Sequence, residues 1–562
     1  MKNNNQRKWE ILGMTGQKVK VDDIVGILLE NRGIKTPKDK KEFFEPTQPE
    51  KIGLKALGIS KIEIDKAIKR IKRARETKEK VIVYGDYDAD GISGTAILWE
   101  ILYSLGLNVL PYIPERFSEG YGLNADSIKN LKFQDPNLKL IITVDHGIVA
   151  HKKIDVAKDL GIDVIVTDHH ELAITKPKSF ATIHTTKISG AAVAWILSRE
   201  IVKEFQIPNS KFQISDSLEL VAIGTIADQI PLLGPNRSFV KYGLEALNKT
   251  KRPGMVALLE GSDLIKGPTR RRVGPYEVGF IIAPRINAMG RLEHAILSLR
   301  LLCTKDKKKA QELAAHLNRT NLNRQRIVEE VTLHARRQVK KDMKIIILAH
   351  ESYHEGVIGL AAAALVEEFY RPAIVLAKKA DVAKASARSI SGFNIIEAIR
   401  KTEEFLIEAG GHPMAAGFSI ETRKIGEFTK RLNEISKPLL TSEILTKKLK
   451  IDLELTFGQL SQKLFEEIQL FEPTGLGNPT PVFTTKAVEI IDARAIGKDG
   501  KHLKLKARSD NFIFDGISFG LGGYYSAISS NKKFDIVYSL EENTWNNHKN
   551  LELRIRDIKS DS

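Results

Sequence analysis

One cysteine in 562 residues, Cys303, rules out an internal disulfide, and its Leu-Leu-Cys-Thr setting reads as helix packing rather than a reactive thiol. Without further cysteines a thiolate-built structural zinc site is also excluded. No apolar run reaches the roughly 18 residues of a membrane span. The opening Met-Lys-Asn-Asn-Asn-Gln-Arg-Lys has no apolar core for a secretory signal, so the expectation is a cytoplasmic protein without membrane attachment. Prolines number only 20 and hydrophobic residues make up 42%, which excludes a disordered or fibrous chain. Acidic charge is in deficit: 87 Lys and Arg face 70 Asp and Glu, for a net charge of +17. Such a balance favours a polyanionic partner, bound through release of its counterions. At about 150 residues per domain, the length predicts three or four domains.

Against that basic background the carboxylates are concentrated. Val81–Tyr84, Leu140–Val144, Val164–Thr167 and Leu220–Ile226 read as core strands, and each runs directly into an acidic or acidic/His cluster. These clusters are Asp86/Asp88/Asp90, Asp145-His146, Asp168-His169-His170 and Asp228. Strands alternating with helical patterns predict a parallel α/β sheet, whose ligand crevice lies beyond the carboxyl ends of its strands. A lone acid after a strand is often a helix cap. Four clusters in equivalent places predict one shared metal site.

From Ala295 to Asp342 the chain lacks proline and glycine and predicts one or two long helices. Its basic residues Lys305, Lys307, Lys308, Lys309, Arg319, Arg324, Arg326, Arg336 and Arg337 read mostly as a solvated face, with contact to nucleic acid as the alternative. A second α/β unit is expected from strand-like Lys344–Leu348, Ala373–Leu376 and Ala385–Ser389, with a helix from about Gly356. Two units joined by a helical connector would face each other across a cleft. After Ser442 short alternating strands, such as 449–455, Val482–Ile491, Lys504–Ala507 and Leu551–Ile558, predict a small β-barrel or sandwich; OB-folds are one such barrel. The expected divisions are an N-terminal extension 1–55, a catalytic domain 56–294, a connector 295–342, a second α/β domain 343–441 and a β-domain 442–562.

Asp offers hard oxygen and His borderline nitrogen, a mixture that suits Mn²⁺, Mg²⁺ or Zn²⁺ better than Ca²⁺. About four Asp and one or two His suffice for two ions sharing a carboxylate, which makes phosphoryl chemistry the leading reaction class. Of the His pair, one side chain can ligate while the other meets substrate, and Asp168 can either fix an imidazole or cap a helix. His146 reads as a turn residue. Phosphate-binding candidates are Arg116, Arg291, Ser386 and Arg388, and the Gly-Gly-His412 turn would permit close approach.

Asp86-Tyr-Asp-Ala-Asp-Gly91 and Asp168-His-His170 resemble the DHH phosphoesterase superfamily. Asn287-Ala-Met-Gly-Arg291-Leu, Ser386-Ala-Arg388-Ser-Ile, Gly410-Gly-His-Pro-Met-Ala-Ala-Gly417 and Glu472-Pro-Thr-Gly-Leu-Gly-Asn-Pro479 narrow the likeness to its RecJ family of single-strand-specific exonucleases, from about residue 50 onward. The resemblance implies a DHH domain, a long helix, a DHH-associated domain and an OB-fold. It implies Asp88, Asp90, Asp145, His169 and Asp228 as ligands of two Mn²⁺ or Mg²⁺ ions, with Asp145 bridging and Asp86 auxiliary. His170 would contact phosphate, while Arg116, Arg291, Ser386, Arg388 and His412 would hold the DNA backbone or its 5′ end. The implied activity is 5′-to-3′ degradation of single-stranded DNA to 5′-mononucleotides in repair and recombination, by a monomer working beside a single-strand-binding protein and a helicase. Related DHH pyrophosphatases carry a metal-binding His where this chain has Tyr84, which leaves that position to Asp86 or water. Two alternatives stay open. DHH enzymes for small substrates lack the region after Ser442, and non-enzymatic scaffolds of the family tend to lose the acidic ligands.

Overall fold

A computed structural model describes residues 7–13, 20–172, 175–206, 214–266, 269–528, 533–545 and 548–560. The first elements are β1 (Lys8–Gly13), α1 (Val21–Asn31) and α2 (Pro37–Phe44), the last capped by Thr36 with proline at its first position. After α3 (Lys61–Glu76) the apolar runs form a parallel sheet from β2 (Lys80–Gly85), β3 (Asn108–Tyr112), β4 (Leu138–Val144), β5 (Asp163–Asp168) and β6 (Ala181–His184), in the order β3-β2-β4-β5-β6. Val81, Val83, Leu140, Ile142 and Ile165 enter the core on one face, and Ile82, Tyr84, Ile141, Val164 and Val166 the core on the other. A sheet covered twice is why these strands read as continuous apolar runs.

The helices that bear on the site are α4 (Ala89–Ser104), α5 (Gly190–Glu204), α6 (Leu218–Ala227), α7 (Gly234–Asn248) and α8 (Ala283–Leu292). The expectation of a strand over Leu220–Ile226 is corrected: this run lies inside α6. Every residue from Leu218 to Thr225 is buried, so the helix is apolar all round and shows no 3.6-residue period by which to tell it from a core strand.

The connector is two helices, α9 (Ile296–Cys303) and α10 (Lys307–Gln338), parted where Asp306 caps the second. At 1.5 Å per residue α10 runs about 48 Å. It passes beneath a second sheet of β7 (Ile346–His350), β8 (Ala373–Ala377), β9 (Val382–Arg388), β10 (Leu406–His412) and β11 (Ala415–Glu421), ordered β10-β11-β9-β8-β7, with α11 (Ile358–Phe369) on the same side. The Gly-Gly-His412 run, expected as a turn, is instead the end of strand β10, with Gly410 paired to Gly417 and the reversal of the β10–β11 hairpin confined to Pro413 and Met414.

Beyond it lie β12 (Lys448–Glu454), β13 (Phe483–Ile496), β14 (His502–Ser509), β15 (Phe512–Ser518), β16 (Lys533–Trp545) and β17 (His548–Ser560). Pairing runs β13-β14-β15-β17-β16 and returns to β13, which closes a five-stranded barrel. Strand β12 extends it, and β1 pairs in parallel with β12 from the far end of the chain. Ile24, Leu28, Leu29 and Phe43 share the barrel's core, so the N-terminal segment packs as part of that body.

Arg237 of α7 joins the bodies. Fully buried, its guanidinium donates to the carbonyls of Phe43, Leu470, Phe471, Glu472 and Pro473 at 2.7–3.2 Å and sits 3.9 Å over the Phe43 ring. Nearby, Arg32 pairs with Asp452 at 3.0 Å and donates to the Asn478 side chain at 2.9 Å. Replacing Arg237 by Met would leave five carbonyls without their donor. We expect Arg237→Met to lower stability by about 3 kcal/mol or more, read as a shift in the urea midpoint. A wild-type midpoint would show that the cage does not bear on stability.

Candidate metal centre and phosphate cleft

The carboxylates converge because glycine clears space for them and backbone N–H groups hold them. Asp88 caps α4, its Oδ1 accepting from Asp90 N and Gly91 N at 3.0 Å each. Asp90 points the other way, accepting at 2.7 Å from Gly190 N and 3.0 Å from Ala191 N at the start of α5. A Cβ on Gly224 would lie 2.2 Å from Asp90 Oδ1, and one on Gly190 2.3 Å from Asp145 Oδ1. Asp145 follows β4 with φ of +67°, a left-handed conformation that Asp tolerates better than most residues. Asp228 stands at the C-terminal end of α6, where the helix dipole disfavours an anion and a cation would be welcome.

His169 Nε2 sits 3.1 Å from Asp145 Oδ1, 3.4 Å from Asp228 Oδ2 and 3.9 Å from Asp90 Oδ2. Three donor groups result. Asp90, His169 and Asp228 make one, Asp86, Asp88 and Asp145 a second, and Asp145, His169 and His170 a third that shares a residue with each of the others, every group with its ligand atoms within 4.8 Å of one another. Asp86 belongs fully to the second. Burial, together with the neighbouring Asp88, raises the Asp90 carboxyl to about 7; burial with Asp90 and Asp88 raises Asp228 to about 8. Asp145 and Asp86 are pushed well above the carboxylate range, again by burial first and then by the other acids. Asp86 Oδ1, Asp145 Oδ1 and His169 Nε2 are buried without hydrogen-bond partners. Oxygen donors that repel one another, an imidazole kept neutral by burial at about 4, and orphaned ligand atoms fit divalent cations.

His170 is placed differently. Its Nδ1 lies 2.8 Å from Asp168 Oδ1 and its Nε2 3.2 Å from the Tyr121 hydroxyl. Burial works against its charge, but the Asp168 hydrogen bond and charge prevail and raise it to about 9, so it is cationic at neutral pH. Asp168, against its own burial, is held well below the usual carboxylate range by His170 and by the N–H groups of Ile148, His169 and His170. It fixes an imidazole rather than capping a helix. His146, expected as a turn residue, is buried just after β4 and before the turn at 148–149, its Nε2 2.9 Å from the Tyr84 carbonyl oxygen. Tyr84 packs in the core against Tyr112.

Beside the carboxylates four guanidiniums gather. Arg291 is brought down to about 10 by burial and by the charges of Arg116, Arg324 and Arg388, and burial with Arg116 likewise lowers Arg388. Arg116 lies 5.2 Å over the Tyr87 ring, and Arg388 donates to Ser386 Oγ at 3.3 Å. Arg291, Gly359 and Arg388 line both a cavity of about 910 Å³, with Arg116, Lys384 and Ser386, and one of about 1060 Å³ that reaches Arg324 and the linker at Thr474–Leu476. His412 is exposed on its hairpin, near enough for its charge to act on His169. Of the basic residues on the connector only Arg324 turns inward; the rest are exposed. Tyr121 and Asn287, which accepts from Ala89 N at 2.7 Å, were not legible as site residues, because nothing in their local pattern points to partners so distant in sequence.

Comparison with known proteins accords with this arrangement. Family models described as the DHH family N-terminal domain, the DHHA1 domain and the RecJ OB domain match residues 80–225, 342–437 and 451–557. The chain is 34% identical over 582 residues to the single-stranded-DNA-specific exonuclease RecJ of Bacillus subtilis, covering 98% of this chain and 71% of the relative. It is 33% identical over 516 residues to the Thermus thermophilus protein of the same name, covering 90% of this chain and 71% of the relative. The crystal structure of Thermus thermophilus RecJ in complex with Mn²⁺ matches with a TM-score of 0.82 at 28% identity, over 99% of this chain and 80% of that one.

Two outcomes are expected of the carboxylate cluster. Gly224→Ala drives a methyl into Asp90 and should weaken Mn²⁺ binding by about 10–100-fold in a calorimetric titration, whereas Gly426→Ala, whose methyl meets open space, should not. In chelated protein Asp90 and Asp228 hold protons more tightly folded than unfolded. Their contribution to stability is therefore whole below about pH 4 and lost as pH climbs through about 7 and 8. Melting at about pH 5 and about pH 8 should show this fall, and Mn²⁺ should suppress it. A chelated protein that gains stability over the interval contradicts the burial argument.

Proposed function

Because the chain belongs to the RecJ family of single-stranded-DNA-specific exonucleases, we propose that it degrades single strands from the 5′ end to 5′-mononucleotides, using two divalent cations, Mn²⁺ or Mg²⁺. The observation that carries this reading is the juxtaposition of Arg116, Arg291, Arg324 and Arg388, none within 4.0 Å of a carboxylate among the described residues, with the overlapping donor groups around Asp145. A terminal 5′-phosphate carries the extra charge such a cluster would neutralise, and a 3′-hydroxyl end does not.

In this reading Asp90, His169, Asp228 and Asp145 would hold one cation, and Asp88 and Asp145, with Asp86 as auxiliary, would hold the other. When bound, the two ions supply an activated water and neutralise charge on the phosphate under attack. The protein's own groups do the rest. Arg291, Arg388 and Ser386 hold the 5′ end, so that the next phosphodiester lies over the carboxylates. Arg116, seated on Tyr87, flanks the same cavity. Cationic His170, oriented by Asp168 on Nδ1 and held against the Tyr121 hydroxyl on Nε2, adds positive charge beside the phosphate under attack. Neutral His169 keeps a lone pair for a cation. His412 extends the cleft wall. The enzyme works as a monomer in repair and recombination, on strands that a helicase opens and a single-strand-binding protein presents.

The test compares 5′-labelled and 3′-labelled single strands, duplex DNA and a short RNA, each with Mn²⁺ and with chelator. Release of label from the 5′ end alone, abolished by chelator, is expected. Digestion from the 3′ end, or none with metal, overturns the reading. Asp145→Ala should lose cleavage by at least about 10³-fold while binding single strands nearly as well, because binding rests on the basic groups.

A further inference from the structure

Two aromatic rings stand open at the edge of the larger cavity. Tyr276 and Phe280 are stacked, with centroids 5.0 Å apart and planes 27° apart, and are 64% and 70% exposed. They occupy the short turn Pro275–Glu277 and the π-helical turn Val278–Ile282 that leads directly into α8, whose far end carries Arg291. Val278 and Ile282 are fully buried, so the turn is fixed from below while both rings face outward. π-Helical turns are rare and concentrate at functional sites.

We propose that Tyr276 and Phe280 form a stacking platform for the bases of the incoming single strand, gripping it before it reaches the carboxylates. This rests on the reading of the chain as a single-strand exonuclease and adds the residues that recognise unpaired bases. Charge complementarity favours a nucleic acid as occupant, since the same cavity is lined by Arg324, Arg291 and Arg388, none of them paired with a carboxylate among the described residues, while Arg272 at its rim pairs with Glu472. Continuity favours it too, because Arg291 and Arg388 also line the smaller cavity beside the carboxylates. The two rings cover one face of each other and leave an outer face for a base. Any base fits, so the grip is sequence-neutral, whereas a duplex keeps its faces stacked internally and offers none.

The test is the double variant Tyr276→Ala/Phe280→Ala with a 5′-phosphorylated 20-nucleotide strand. The loss should fall on KM, which rises roughly tenfold or more given the usual strength of base–aromatic stacking, and Tyr276→Phe alone should stay near wild type. A single abasic site walked along the strand should raise KM for the wild type over a short window, and that window should vanish in the double variant. Binding measured in parallel on an Asp145→Ala background reads the same window without cleavage. If wild type degrades nothing yet the binding window is present, the platform stands and the exonuclease reading falls. A double variant with wild-type KM and affinity, a window that persists in it, or a change only in self-association overturns the platform.

Discussion

Mutual repulsion among buried carboxylates is the constraint around which this molecule is arranged. Asp86, Asp90 and Asp145 are nearly inaccessible to water, and Asp228 stands at the unfavourable end of a helix. No packing argument would assemble them. Parallel strands of near-equal reach deliver Asp86 and Asp145 to one rim, the N-terminus of α5 restrains Asp90 with two backbone donors, and glycine at 190 and 224 keeps the second row of helices from filling the space. Each of these choices costs folding free energy unless a cation is bound, so stability is lent to function at this rim.

How much of this was legible in sequence depended on range. The acids after β2, β4 and β5 were readable because a buried strand has a local signature and its end is marked by the first charge. Asp228 lies beside His169 and Asp90 although no strand precedes it: α6 is so wholly buried that its composition is that of a core strand, and its C-terminal end opens on the same crevice. Arg324 could not be told from its exposed neighbours on α10, since a helix facing two bodies has no single polar side. The hold of Arg237 on five carbonyls, and the pairing of β1 with β12 more than 400 residues away, have no local signal at all. What the motif Glu472–Pro479 encodes is the other half of those contacts: Asn478 donates to the carbonyls of Phe471 and Pro473 while Arg32 grips its side chain.

The cleft also has an electrical shape. Acids cluster at the strand ends and four arginines face them across a short gap, so a phosphodiester chain meets a field that changes sign along its path. The positive side attracts the backbone, and the negative side repels it unless divalent charge is present.

Arg237 carries a mechanical consequence. A linker between two bodies is ordinarily where they bend, but here its carbonyls are fastened to a buried cation and its other flank to Arg32. Barrel, linker and catalytic core are thus fastened to one another through the very segment that would otherwise let the barrel swing as an arm, and the cleft keeps its shape only as long as both guanidiniums stay caged.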